Sequence, residues 1–243
     1  MDDNSFFVTT PIYYVNDSPH IGHAYTSIAC DVIARFNRLN GKKTMFLTGT
    51  DEHGLKIEQA AKKKAMNTKE FVDEMSLDFK KLTKTLNLTN DFFVRTTENF
   101  HKKASQHIWK ILKKNDEIYL DKYKGWYSVS DEAYFNDDEI TTDKKTKKKF
   151  APSGNEVQWV EEESYFFKLS KWQDKLLDFY KKNPNFIGPD SRKNEVVSFV
   201  KNGLNDLSIS RTTFSWGVEV PDDKKHIMYV WLDALINYLS AIG

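Results

Sequence analysis

The chain has 243 residues, with 36 Lys and Arg against 35 Asp and Glu, for a formal net charge of +1. That length suits one large domain, or one domain with an insertion, and 40% apolar and 14% aromatic residues supply a real core. The 29% charged share is balanced in sign, which argues against a disordered tail, a coiled coil or a wholesale nucleic-acid coat and leaves room for a local basic patch.

One cysteine, Cys30, excludes an intramolecular disulfide and any Cys₄ or Cys₂His₂ zinc site, and it suits a reducing compartment. Cys30 falls inside a helical segment with no cationic neighbour in sequence, so it reads as a packing residue and not as a reactive thiol. No run of about 18 apolar residues is present, so no transmembrane helix is expected. Met1 to Asn4 is acidic and leads directly into an apolar strand, unlike a signal or transit peptide. A cytoplasmic protein is expected, although an organellar one with its leader removed reads the same.

Phe6 to Tyr14 is aromatic and β-branched, a strand. Ile21, Tyr25, Ile28, Val32 and Phe36 follow at helical spacing, with Ser18 suited to the N-cap and Pro19 to the first helical position. Thr44 to Thr48 predicts a second strand, with Gly49 to Gly54 as the loop at its carboxyl end. Leu55 to Met66 and Thr68 to Leu86 read as helices, Phe92 to Thr96 as a third strand and Glu98 to Lys114 as another helix. Such alternation predicts an α/β fold with a parallel sheet. From Ile118 to about Phe167 the pattern turns β-like and irregular. Trp172 to Lys182 and Ser191 to Leu204 read as helices, Leu207 to Arg211 as extended, and His226 to Trp231 as a buried strand returning to the sheet.

The sharpest chemical element is His20-Ile21-Gly22-His23, directly after a strand and in the first turn of a helix. A helix N-terminus offers free N–H groups and partial positive charge. His20 and His23, three apart, share one face of that turn, where two donors suit phosphates and developing charge. Gly22 lets a flat base approach the backbone. The bland alternative is two surface histidines. Asp51 stands where parallel sheets place ligand groups, or else it is a solvated loop acid. Trp231, Ala234, Leu235 and Tyr238 share one helical face, a stripe that also suits a core.

Pro11-Ile12-Tyr13-Tyr14-Val15-Asn16 leading into HIGH, and Thr48-Gly49-Thr50-Asp51-Glu52-His53-Gly54, resemble the class I aminoacyl-tRNA synthetases. The resemblance is closest to the methionyl-tRNA synthetase family. Gly125 to Ser128 with Asp131-Glu132, Glu162 to Phe167, Gly203 to Arg211 and Tyr229 to Leu235 agree in the family's order. The resemblance implies the first half of a doubly wound Rossmann-type sheet over 1–117, a connective-peptide insertion over 118–225, and the start of the second half over 226–243. The rest of the sheet and the anticodon-binding domain are expected to be missing, so the chain alone should be inactive. The implied activity is methionine--tRNA ligation. His20 and His23 would be catalytic, and with Gly22 would bind ATP, which carries Mg²⁺. Asp51 would hold the methionine ammonium, and Ile12, Tyr14, Trp231, Ala234, Leu235 and Tyr238 would line the side-chain pocket. The implied partners are methionine, ATP and tRNA(Met), with no membrane and no DNA.

Many relatives carry zinc-binding cysteine pairs in the insertion, where this chain has Ser128 and Glu132, so no zinc is expected. The insertion is also too short for the editing domain of the branched-chain enzymes. Lys168-Leu169-Ser170-Lys171 imitates the family's triphosphate loop but lies inside the insertion, and it is read as a decoy. The lysine run at 144, 145 and 147–149 reads as a solvated loop or, alternatively, a tRNA contact. A small nucleotidyltransferase or a non-catalytic synthetase-like paralogue are the rival readings.

Overall fold

The computed structural model describes residues 4–131, 133–135, 137–144 and 146–243; Glu132 and Lys145 lie outside them. The first apolar run splits into β1 (Ser5–Thr9) and β2 (Tyr13–Tyr14), with Pro11, which has no N–H to give a ladder, in the gap. Both lie parallel to β3 (Lys43–Asp51), from Ser5↔Lys43 to Thr9↔Leu47 and again at Tyr14↔Asp51. β4 (Phe92–Arg95) pairs parallel along the other edge of β3. The crossovers are α1 (Ile21–Leu39), then α2 (Leu55–Lys63) and α3 (Thr68–Thr85), and α4 (Asn99–Lys114) follows β4. This is the predicted α/β alternation.

Two details of α1 differ from the sequence reading. Its N-cap is His20, not Ser18, and the helix starts at Ile21, not Pro19, because the His20 ring accepts the Gly22 N–H. The periodic apolar residues that locate the helix face outward: Ile21 is 85% and Tyr25 76% exposed. The buried face is Ala24, Ser27, Asp31, Ala34 and Asn37. Small residues bring the helix close to the sheet. Asp31 earns its burial by accepting the Thr89 N–H and hydroxyl, both at 2.6 Å, and Arg35 Nε at 2.6 Å. Cys30 is half-buried with Sγ 3.5 Å from the Thr9 carbonyl, and burial raises its thiol pKa, which fits a packing role.

From residue 118 the chain forms an antiparallel sheet. β5 (Ile118–Ser128) and β9 (Glu156–Phe167) pair from Ile118↔Phe167 to Tyr127↔Gln158. β6 (Ala133–Phe135) extends it beside β5, and β7 (Thr141–Thr142) and β8 (Lys149–Phe150) extend it beside β9. A 3₁₀ turn (Leu169–Trp172) precedes α5 (Gln173–Lys182) and α6 (Asp190–Lys201), and β10 (Leu207–Ser208) returns to β9. The Lys168–Lys171 tetrapeptide is that turn. Lys168 Nζ lies 2.8 Å from Asp116, and the Ser170 hydroxyl donates to Asp206 at 2.6 Å. The first contact ties the turn to the end of α4, and the second ties it to the segment before β10.

The expected return strand at His226–Trp231 is shorter and sits elsewhere. Only Ile227–Met228 is extended (β12), and it pairs antiparallel with β11 (Ser210–Arg211), not with the parallel sheet. Local partners explain this: Met228 N–H bonds to the Val218 carbonyl at 2.7 Å and Tyr229 N–H to that of Ile209 at 2.8 Å. Helix α7 (Val230–Ser240) follows at once. One core, with Tyr13, Ile57, Phe71 and Phe79, seals β2 against α2 and α3. Another, with Trp109, Ile118, Tyr165, Ile209 and Met228, welds α4 to β5, β9 and β12. Among the described residues no helix is long and apolar enough to cross a membrane.

β3 and β4 approach so closely at Gly49 that a Cβ there would lie 2.1 Å from the Val94 carbonyl oxygen. The strands must separate to admit it. Gly49→Ala is therefore expected to destabilise the fold by about 3 kcal/mol, read as a lower urea midpoint. An unchanged midpoint would refute this packing.

Candidate active site

At the start of α1 the two histidines complete each other's cap. His20 Nδ1 accepts the Gly22 N–H at 3.1 Å, and His23 Nδ1 accepts the His20 N–H at 3.1 Å. The rings stack with centroids 3.8 Å apart. With Nδ1 engaged as an acceptor on both rings, the neutral imidazoles carry their protons on Nε2, away from the backbone. Partial burial, with the neighbouring His20, holds His23 below the usual histidine pKa, so it is a neutral donor at pH 7. Tyr13 and Phe79 form the floor, with ring centroids 4.7 and 5.2 Å from His23. Gly22 has a local reason to lack a side chain: a Cβ would meet the His20 ring at 2.9 Å. His20 and Gly22 are exposed, so the turn is open to a ligand.

The loop after β3 is held from both sides. Glu52, fully buried, receives Arg95 Nε at 2.6 Å, a second Arg95 nitrogen at 2.9 Å and the Thr50 hydroxyl at 2.7 Å. Its backbone N–H bonds to the Thr96 hydroxyl at 2.9 Å, and its carbonyl accepts Trp216 Nε1 at 2.6 Å. Gly54 N–H in turn bonds to the Trp216 carbonyl at 3.2 Å. Glu52 is thus spent on structure, while its neighbours Asp51 and His53 line a cavity with Leu55, Tyr127, Phe214, Met228, Tyr229, Val230 and Asp233. Arg211 stacks on Tyr229 at 3.7 Å and pairs with Glu162 at 3.3 Å, which fixes the cavity's far wall.

Asp233 anchors α7. It is 1% exposed, receives His53 Nδ1 at 2.6 Å and His101 Nε2 at 2.9 Å, and His101 Nδ1 meets the Ser240 hydroxyl at 3.0 Å. Burial opposes the charge, but His53 and His101 outweigh it and hold the carboxyl at a pKa of about 2. With Asp233, Ile236 and Asn237 turned inward, the opposite face stays open: Trp231 is 50% and Leu235 55% exposed. The stripe predicted from spacing is thus split, with Trp231 and Leu235 outward. Ala234 is half-buried, and Tyr238 packs on Leu47, Val94 and Ala241 at the end of the sheet. Ile12 and Tyr14 are half-buried, and Tyr14 packs on the core beneath β2. Of the predicted pocket residues only Asp51 lines this cavity; Ile12 and Tyr14 lie on the β1–β2 side, Trp231 and Leu235 on the open face of α7, and Ala234 and Tyr238 on its half-buried flank.

Sequence reasoning missed His101, Arg95, Trp216 and Tyr229, and it gave no role to His53. Their partners lie far along the chain, and spacing does not reveal such pairs. At the end of β5, Ser128 and Asp131 are joined by a hydroxyl–carboxylate bond of 2.6 Å, and Asp131 also receives Ser153 at 2.6 Å and Asn155 at 2.7 Å. Among the described residues no three His, Cys, Asp or Glu side chains form a group able to hold a metal. Within the lysine run, Lys148 pairs with Glu156 at 2.8 Å and Lys149 lies over the Trp126 ring at 3.9 Å.

A depressed carboxyl pKa contributes stability above the unfolded value near 4, which is lost as pH falls toward the folded value. Between about pH 4 and pH 2, Asp233 is expected to surrender on the order of 2 kcal/mol. Urea unfolding of wild type and Asp233→Asn across that window checks this: the gap between their midpoints should narrow as pH falls. A constant gap would contradict the ionised bridge.

The family model described as tRNA synthetases class I (M) matches residues 6–243. The chain is 59% identical over 241 residues to the methionine--tRNA ligase of Rickettsia bellii, covering 99% of this chain and 46% of that protein. It is 54% identical over 243 residues to that of Mesorhizobium japonicum, covering 47% of the relative. The solved structure of Mycobacterium tuberculosis methionyl-tRNA synthetase bound by methionyl-adenylate superposes with a TM-score of 0.93 at 49% identity, covering 98% of this chain and 47% of that one. The chain thus spans about half the length of the relatives it matches. With a family model covering nearly all of it and a shared fold at this identity, the chain belongs to the class I tRNA synthetases (M).

Proposed function

We propose that this chain forms the ATP- and methionine-binding part of a methionine--tRNA ligase. The observation that carries the reading is the histidine pair: both rings cap α1 through Nδ1, which leaves two Nε2–H donors at a helix N-terminus. Relatives at 54–60% identity bear the ligase name, and the M. tuberculosis structure holds methionyl-adenylate. Both support it.

In the proposed reaction the methionine carboxylate attacks the α-phosphate of ATP, which enters with Mg²⁺ as part of the substrate. The bond to the β-phosphate oxygen breaks, pyrophosphate leaves, and methionyl-adenylate remains. The methionyl group then passes to a hydroxyl at the 3′ end of tRNA(Met), releasing AMP. The protein forms no covalent bond; its work is positioning and charge stabilisation. His20 and His23 donate to phosphate oxygens, and Gly22 keeps that turn open. Asp51 accepts from the methionine ammonium. The thioether has no strong polar handle, so shape and sulfur–aromatic contact must select it. Trp231, Ala234, Leu235 and Tyr238 of α7, with Ile12 and Tyr14, are assigned that task. Residues 1–117 and 226–243 are assigned to the catalytic fold and 118–225 to the connective insertion, which the Ser128–Asp131–Ser153–Asn155 bonds would brace without zinc.

In a full-length protein carrying this chain, His23→Ala is expected to slow methionine-dependent ATP–pyrophosphate exchange about 10²- to 10³-fold. The Kd for methionine should change less than twofold, as calorimetry would show. Equal losses in rate and methionine affinity would assign His23 to structure.

A further inference from the structure

A substrate ammonium has three protons to place, and Asp51 is one carboxylate. His53 lines the same cavity, is 6% exposed, and packs edge-on against Trp216 with ring centroids 5.7 Å apart. Its Nδ1 lies 2.6 Å from Asp233 Oδ2. An ionised carboxylate only accepts, so Nδ1 carries a ring proton, and in the Nδ1–H tautomer Nε2 keeps a lone pair. That Nε2 is buried and has no hydrogen-bond partner. Buried polar atoms in folded proteins are nearly always paired, so an orphan nitrogen on a cavity-lining residue points to a donor that arrives with a ligand. A phosphate or carboxylate would set lone pair against lone pair, whereas an ammonium fits. Asp233 is itself fixed, since its other oxygen meets His101 Nε2 at 2.9 Å.

We infer that His53 is a second reader of the amino-acid substrate, its Nε2 accepting one proton of the α-ammonium that Asp51 holds, with Asp233 as the positioning residue that fixes its tautomer. The inference rests on the function proposed above. It makes His53 a binding residue and gives the buried Asp233–His101 pair a purpose beyond packing.

The test compares L-methionine with 4-(methylthio)butanoate, the same molecule without its amino group, by calorimetry on a full-length protein carrying this chain. His53→Asn is the informative variant: its amide N–H replaces the Nδ1–H toward Asp233, and only the Nε2 acceptor is lost. Methionine affinity should fall about 10-fold, affinity for the des-amino analogue should stay within twofold, and the melting temperature should hold. Asp233→Asn, which admits the other tautomer, should show the same selective loss. Retained methionine affinity in His53→Asn, or equal weakening of both ligands, would overturn the assignment while Asp51→Asn still weakened methionine. A wild-type protein that bound neither ligand would overturn the proposed function and this inference together.

Discussion

The buried carboxylate of Asp233 is the constraint on which the rest of the site depends. It joins three elements remote in sequence: the loop after β3 through His53, α4 through His101, and α7 on which it sits. Burying a charge is expensive, and the cost is recovered here by two short hydrogen bonds, with a hydroxyl behind one of them. The geometric result is that α7 cannot rotate. With Asp233 inward, Trp231 and Leu235 face out, while Asp233 lines the same cavity as Asp51.

A second buried pair does the same for the loop itself. Glu52 sits between two residues that line the cavity, yet its own carboxylate is saturated by Arg95, Thr50 and Thr97. Removing one partner of such a pair typically costs about 3–5 kcal/mol, since the other is left charged and buried. Trp216, between β11 and β12, closes over the loop by bonding to the Glu52 carbonyl and the Gly54 N–H. The segment around Trp216 therefore braces the parallel-sheet unit physically, covering the loop between β3 and α2.

Much of this was legible in the sequence where the physics is local. Strand and helix alternation, the HIGH turn and the position of Asp51 at the end of a parallel strand follow from periodicity and short-range chemistry. Other features were not legible, because their causes lie elsewhere in the fold. The apolar stripe of α1 marks a helix correctly, but spacing cannot say that small residues and the bonded Asp31 take the inner face. His20 displaces Ser18 as N-cap because its ring folds back over Gly22, a side-chain detail that residue propensity does not capture. Residues 226–231 have a buried strand's composition, yet the 209–218 segment supplies nearer partners than the parallel sheet does. Bridges such as Asp233 to His53 and His101 span 180 and 132 positions, and no local pattern marks them.

The central claim is that an ionised Asp233 holds His53 in one tautomer and thereby orients α7 against the β3 loop. Long-range ¹H–¹⁵N correlation spectra of the imidazoles observe that tautomer directly. The account predicts that at neutral pH His53 shows a proton on Nδ1 and a bare Nε2, and that the signal pattern shifts toward the Nε2–H form in Asp233→Asn. A wild-type His53 in the Nε2–H form, or a spectrum indifferent to that substitution, would contradict it.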